Sequence, residues 1–424
     1  MNIGFFTDTY FPQVSGVATS IRTLKNELES YGHVVYIFTT TDPRANNEEE
    51  ERVIRLPSVP FISFKDRRII VRRMVETYRI AHELALQLIH NHTEFGLGLL
   101  GQMVAHRMKI PVVHTWHTDY EKYLHYIAKG KVFRPVHVKM SAKFLFGKVD
   151  GVVCPSKLTR KMLSSYGLKV PLKVIPTGVD IHKFLRSDIT GSDRQNLRYK
   201  LGVDETGILL LSVSRLSREK NIHFLLSGMP EILRKYPQIR LIIVGDGPAR
   251  EELEQQASDL GISGQVCFMG MVAHENITYY YNAADYVVSA SMSETQGLTY
   301  AEALASGVQS IVHGNEYLCD LFDDETLGCL YYGSEAFANA LIGYIEKNLE
   351  MDEKLLQIKL YGISAECFGL SMIEFYFETL ANFSKKQLEK KRILDLNKIG
   401  KKIASVKKLR RYYQKTEKMT IEDK

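Results

Sequence analysis

Cysteine is scarce in this 424-residue chain: five residues, Cys154, Cys267, Cys319, Cys329 and Cys367, with no pair at metal-binding or redox spacing. That excludes a disulfide framework and points to a reducing, cytoplasmic compartment. Long apolar runs are missing too, and none approaches the roughly 20 residues of a membrane-spanning helix. The opening "MNIGFFTDTYFPQ" has no basic leader and meets Asp8 early, so it predicts a strand and not a secretion signal. Neither the three-glycine dinucleotide fingerprint nor a phosphate-loop lysine is present. Histidines occur in "IHNHTEF" and "HTWHTD". No Cys, His or Asp set completes a metal site around them at the usual spacing, so no metal ion is expected.

Charge is present but unevenly placed. The formal net charge is only +6. Residues 385–415 hold 13 Lys/Arg against Glu389 and Asp395, a net of +11, which leaves −5 for the remainder. A second basic block carries Lys122, Lys129, Lys131, Arg134, Lys139, Lys143 and Lys148 with no acid among them. Tyr123, Leu124, Tyr126, Ile127, Val132, Phe133, Phe144, Leu145 and Phe146 are interspersed with these cations. That mixture suits a segment lying on an anionic membrane surface. Solvated helix faces are the plainer alternative. Nucleic acid is not an expected partner, because the basic tail brings no stacking platform or base-reading motif.

The length predicts two domains of ordinary size. Apolar runs rich in β-branched residues alternate with amphipathic stretches: "NIGFF", "VVYIFTT", "VIRLPS", "LIHNH", "PVVHTW", "GVVCPS" and "LKVIPTG", then "GILLLSVS", "LIIVGDG", "VCFMG", "DYVVSAS" and "VQSIVHG". Continuous apolar strands between helices imply parallel sheets covered on both faces. The first helix carries Ile21, Leu24 and Leu28 on one face and is expected to stop at Gly32. The fold class is therefore α/β, two doubly wound parallel-sheet domains with a cleft between them. Their expected limits are 1–185 and 190–370, joined near the polar "LRSDITGSDRQN", with a helical, basic region over 371–424.

In such sheets ligands sit beyond the carboxyl ends of the strands. After the first strand, Ser15-Gly16 opens a helix, and a helix N-terminus suits an anion. After "LLLSVS", Arg215 and Lys220 would balance a diphosphate, the first as a fork and the second as a point charge. After "DYVVSAS" comes "SMSETQGLTYAEALASG". A helix beginning near Leu298 leaves Glu294 in the loop and Glu302 inside the helix. Gln296, Gly297, Leu298 and Thr299 then offer backbone donors at a positive helix end. On this reading Glu294 contacts sugar hydroxyls and Glu302 accepts from a ribose diol. His117, one residue past a strand-end tryptophan, is placed for a ligand.

These pieces together resemble glycosyltransferase family 4, of the GT-B fold with two Rossmann-like domains. The resemblance runs from residue 1 to about 380 through "FPQVSGVATS", "HTWHTDYEKY", "CPSKLTRKML", "VIPTGVDIHKF", "SRLSREKN", "IVGDGP" and the two glutamates. Within the family, "HTWHTDYEKYLHY" before a basic helix is similar to the members that glucosylate diacylglycerol. The resemblance implies a retaining transferase that uses UDP-glucose without a metal ion or other cofactor and docks peripherally on the inner face of the cell membrane. It places Gly16 against the donor phosphates, Arg215 and Lys220 on the diphosphate, Glu302 on the ribose, and Glu294 with the 296–299 backbone on the sugar. His117 would face that sugar from the first domain. It further implies front-face transfer, in which the departing phosphate takes the acceptor's proton, so no separate base is needed. Lys122, Lys131, Arg134, Lys139, Lys143 and Lys148 would serve the membrane and the acceptor. Two departures, Thr295-Gln296-Gly297 where Pro-Phe-Gly is frequent and "SGVQSIV" where Gly-x-Pro-Val is frequent, bear on sugar preference. Another donor sugar, another acceptor, or an inactive sugar-binding relative are the alternatives.

Overall fold

The computed structural model describes residues 1–13, 15–45, 51–61, 64–70, 74–94, 96–117, 135–185, 189–273, 275–292, 297–333 and 336–389. Lys122, Lys131, Arg134, Glu294 and Gln296 lie outside the described residues.

The first half contains β1 (Asn2–Phe6), α1 (Gly16–Ser30), β2 (Val34–Thr40), β3 (Val53–Leu56), β4 (Ser58–Phe61), β5 (Phe64–Ile70), α2 (Met74–Glu83), β6 (Leu88–Asn91), α3 (Leu97–Met108), β7 (Val112–Thr115), α4 (Pro135–Phe146), β8 (Gly151–Cys154), α5 (Lys157–Ser165), β9 (Leu172–Val174) and α6 (Ile181–Phe184). Seven strands form one parallel sheet in the order β3-β2-β1-β6-β7-β8-β9, and β4 and β5 pair as a separate antiparallel hairpin. The second half contains α7 (Gly191–Lys200), β10 (Ile208–Val213), α8 (Ile222–Lys235), β11 (Ile239–Val244), α9 (Arg250–Asp259), β12 (Val266–Gly270), α10 (Ile277–Ala283), β13 (Tyr286–Ser289), α11 (Leu298–Ala305), β14 (Gln309–His313), α12 (Glu316–Leu321), β15 (Gly328–Tyr331), α13 (Ala336–Lys347) and α14 (Glu353–Gly362). Its six strands are all parallel, in the order β12-β11-β10-β13-β14-β15.

The apolar runs explain these sheets. Along β10, Leu209 and Leu211 enter one core while Leu210 enters the other, and all three are buried. A strand covered on both faces needs such a continuous run. In α1 the buried stripe is Ala18, Ser20, Ile21, Leu24 and Leu28, and the chain turns through Gly32 at φ +77, which glycine adopts without strain. The helix opens with Ser15 Oγ accepting from the Ala18 N–H (3.2 Å).

Residues Met1–Ile373 form one compact unit and Glu374–Lys424 another. Both sheets belong to the first unit, which its chain crosses twice. After β9 the segment "VIPTGVDIHKF" leads out of the first sheet, and after α14 the chain returns to it. The Val179 N–H donates to Ile363 O (2.8 Å) and the Ala365 N–H donates to Val179 O (2.9 Å). Gly178 is packed so closely here that a Cβ would lie 2.4 Å from Ser364 O. Elsewhere between the halves, Lys157 meets Asp320 (2.9 Å) and Lys161 pairs with Glu316, joining α5 to α12.

Candidate active site

Each sheet has one point where the strand order reverses. In the first it falls between β1 and β6, in the second between β10 and β13. The loops leaving these strands therefore diverge and open a crevice at their carboxyl ends. Gly16 follows β1, Arg215 and Lys220 follow β10, and Gly297 to Glu302 follow β13. Three of the four ligand loops expected from the sequence thus stand at switch points.

Backbone hydrogen bonds hold the loop after β10. The Leu216 N–H donates to Asp246 O (3.0 Å) and the Ala249 N–H to Leu216 O (3.0 Å). Gly245, at φ +134, lets "GDGP" pass beneath, since a Cβ there would meet Ser214 O at 1.9 Å. That motif therefore supports the Arg215 loop. Arg215 is exposed, and Lys220 is half-buried at the end of a short 3-10 turn, Arg218–Lys220. Asn221 Nδ2 donates to Ala290 O (3.2 Å), tying this loop to the end of β13.

α11 begins at Leu298 with Gly297 before it. The glycine has an intramolecular reason: φ is +73, and a Cβ would lie 2.5 Å from the Tyr300 ring. The close approach expected of Gly297 is thus first an approach to its own helix. Leu298 Cδ1 lies 3.9 Å from where a Cβ on Gly16 would be, an ordinary contact. Among the described residues nothing demands glycine at 16, and the two halves meet here. Glu302 is only 9% exposed on a helix otherwise turned inward through Tyr300, Ala301, Ala303, Leu304 and Ala305. Its Oε2 accepts from Tyr281 Oη (2.9 Å). Burial raises the carboxyl pKa, opposed by the Tyr281 hydrogen bond and by the charge of Lys183 on α6. Burial in turn lowers the pKa of Lys183, with Arg22 adding to the effect, while Glu302, Asp180 and Glu275 oppose it.

In the first half, Asp8 fastens the crevice. Its Oδ1 accepts from the Leu97 N–H (2.9 Å) and its Oδ2 from Thr93 Oγ1 (2.8 Å). His117 is half-buried after β7, and its Nε2 shares a hydrogen bond with His92 Nδ1 (3.1 Å). The rings of His90 and His92 lie 4.0 Å apart, and His114 Nε2 is 3.6 Å from Glu94 Oε1. Loss of hydration pulls His117 down to about 4, with Glu94 opposing and His114 adding to the fall. Burial likewise drives His90 and His92 well below the ordinary histidine range, helped by their neighbouring histidines. These rings are neutral near pH 7. Among the described residues, no group of three His, Cys, Asp or Glu could hold a metal ion.

The basic block is described from residue 135. In α4, Val138, Ala142, Leu145 and Phe146 face the core, with Val149 beyond the helix. Leu145 and Phe146 are therefore packing residues and not interfacial ones, as the helical period requires. Val136, Met140 and Phe144 instead stand exposed four residues apart. Lys143 and Lys148 are exposed and Lys139 is half-buried. Lys148 Nζ lies 5.3 Å from the Phe144 ring centroid. In the second unit, Lys385 and Lys386 are exposed, and the tail beyond residue 389 is outside the described residues. No described helix is long and apolar enough to cross a membrane.

A profile described as Glycosyltransferase Family 4 matches residues 14–183, and one described as Glycosyl transferases group 1 matches 193–363. The alpha-monoglucosyldiacylglycerol synthase of Streptococcus pneumoniae is 50% identical, over 91% of this chain and 88% of its own. This chain belongs to glycosyltransferase family 4. The synthase of the same name from Acholeplasma laidlawii is 33% identical over 88% of this chain and 98% of its own. Among solved structures, Anabaena HepE in complex with UDP-glucose superposes with a TM-score of 0.71 at 20% identity, covering 89% of this chain and all of that one. Sucrose-phosphate synthase from Thermosynechococcus elongatus gives 0.72 at 22% identity, over 90% and 99%. These two likenesses establish the GT-B fold. The two matched profiles and the 50% identity make the protein a glycosyltransferase. Its sequence did not disclose three partners of the residues expected at the site: His92 beside His117, and Tyr281 and Lys183 beside Glu302. Lys183 lies within the quoted "VIPTGVDIHKF", but its relation to Glu302 exists only in the folded chain.

Proposed function

We propose that this glycosyltransferase moves glucose from UDP-glucose to the free hydroxyl of diacylglycerol at a membrane surface, with retention of the α configuration and without a metal ion. The observation carrying this reading is the 50% identity to a named alpha-monoglucosyldiacylglycerol synthase over 88% of that protein's length. The geometry supports it. Arg215 and Lys220 stand at the β10–β13 switch point, where they would neutralise the charge gathering on a departing diphosphate. The first N–H groups of α1, with Gly16 bare beside Leu298, would approach the same phosphates. Glu302 would accept from the ribose diol, Glu294 and the backbone of Gly297 to Thr299 would hold the glucose, and His117 would face it from the first half. As the bond from the anomeric carbon to the β-phosphate oxygen breaks, that carbon bonds to the lipid oxygen. The lipid hydroxyl's proton passes to the departing phosphate.

The test is incubation of the full chain with UDP-glucose, UDP-galactose or UDP-N-acetylglucosamine and diacylglycerol in mixed micelles, with the lipid product read by mass. Hexosyl-diacylglycerol is expected from UDP-glucose, at a rate unchanged by EDTA. No lipid product with any sugar would overturn the acceptor assignment. Inhibition by EDTA that manganese or magnesium reverses would overturn metal independence.

Docking is proposed through α4, where Val136, Met140 and Phe144 would enter the lipid while Lys139, Lys143 and Lys148 meet anionic headgroups. Cations near such a surface contribute about 1 kcal/mol each, so neutralising all three should weaken vesicle binding by up to roughly a hundredfold. Flotation with anionic but not neutral vesicles, reversed by salt, is the expected result. Equal flotation with both would leave the cations as solvated faces.

A further inference from the structure

We propose that Tyr281 is a positioning residue for donor recognition: its buried hydroxyl fixes one oxygen of Glu302, so that the other is presented to the ribose. The inference rests on the ribose role assigned to Glu302 above. Tyr281 is fully buried on α10, its ring edge-on to Phe184 at 5.8 Å. Its Oη lies 2.9 Å from Glu302 Oε2 and 3.2 Å from Thr299 O. The hydroxyl has one hydrogen, and the charged oxygen is the stronger acceptor. Among the described residues no hydrogen bond reaches Glu302 Oε1.

A carboxylate with one oxygen satisfied and one open, inside an apolar helix face, is an unusual thing to build for packing. Burying it is costly, and an alanine would fill the position without that cost. The arrangement makes sense when a ligand completes it. Without the Tyr281 hydroxyl the carboxylate could rotate, and both oxygens would compete for the same diol. The tyrosine thus acts on the donor through the carboxylate and touches no substrate itself.

The experiment is titration of the full chain with UDP and with 2′,3′-dideoxy-UDP, for wild type, Tyr281→Phe, Glu302→Gln and the double variant. Losing one hydrogen bond to a charged group should weaken UDP binding roughly tenfold in Tyr281→Phe. The dideoxy nucleotide, which has no diol to present, should bind wild type and Tyr281→Phe alike. The double variant should be no weaker than Glu302→Gln alone. Each ratio is taken within one preparation, so partial unfolding cancels. Incorporation of 4-aminophenylalanine at position 281, which keeps a donor in place, should restore UDP binding. Equal loss for both nucleotides in Tyr281→Phe, or failure of that rescue, overturns the positioning role while a diol-selective loss in Glu302→Gln leaves the ribose reading standing. Loss in Glu302→Gln that ignores the diol removes the ribose reading, and the inference with it.

Discussion

Replacing Arg215 and Lys220 together with alanine is expected to lower turnover by about a thousandfold while the protein stays folded. Removing a single preorganised donor from developing negative charge typically costs 10²–10³ in rate, roughly 2.7–4 kcal/mol. Two cations acting on one leaving group are coupled, so the double variant should fall short of the product of the singles. Folding should survive because the backbone of Leu216, Ser214 and Asp246 and the close packing of Gly245 hold the loop. Single-turnover rates beside a thermal unfolding curve would check this. A folded double variant within tenfold of wild type would displace the diphosphate from this loop.

Mild acid should destabilise the protein before the carboxylates held at low pKa take up protons. His90, His92 and His117 have folded-state pKa values below the ordinary histidine value, that of His117 at about 4. Between that value and about 6.5 the unfolded chain binds more protons than the native one, so stability falls as pH falls through this window. Each unit of depression is worth about 1.4 kcal/mol, against a stability that is typically 5–15. Glu27 and Glu302 have raised pKa values and oppose the trend as they take up protons. Asp42, Asp204 and Asp324 are held low, and their contributions are lost only at more acid pH. Urea midpoints should therefore drop steadily from pH 7 to 5, and His92→Phe, which keeps an aromatic ring against Phe5, should flatten the slope. A constant midpoint across that range would mean the rings take up protons in place.

The sheets were legible because a parallel strand buried on both faces writes itself as an unbroken apolar run. β15 lacks that signature, with Gly328 and Cys329 occupying half of its four residues. The β4–β5 hairpin hides for the opposite reason, since "FKDRRII" reads as charge and turn and not as strand. The cations and glycines after strands fall in loops at the switch points, since chain order alone says where a strand ends. Their partners were not readable. His92 and His117 meet because β6 and β7 are neighbours in register. Tyr281, in "ITYYYNA", is one aromatic among three, and nothing local shows that it is the one aimed at a carboxylate. The exposed row of Val136, Met140 and Phe144 was masked by adjacent Leu145 and Phe146, which one step of helical rotation sends inward.

The paired backbone at Val179, Ile363 and Ala365 makes the chain cross between the halves twice at one spot. A single tether would allow the halves to twist, tilt or drift apart. Two crossings side by side behave like a door on a pin, leaving one direction in which to swing and few in which to slide. The pin is backbone hydrogen bonding, indifferent to salt. The contacts between α5 and α12 are exposed ion pairs that salt weakens. Ionic strength should therefore loosen the edge of the door without moving its hinge.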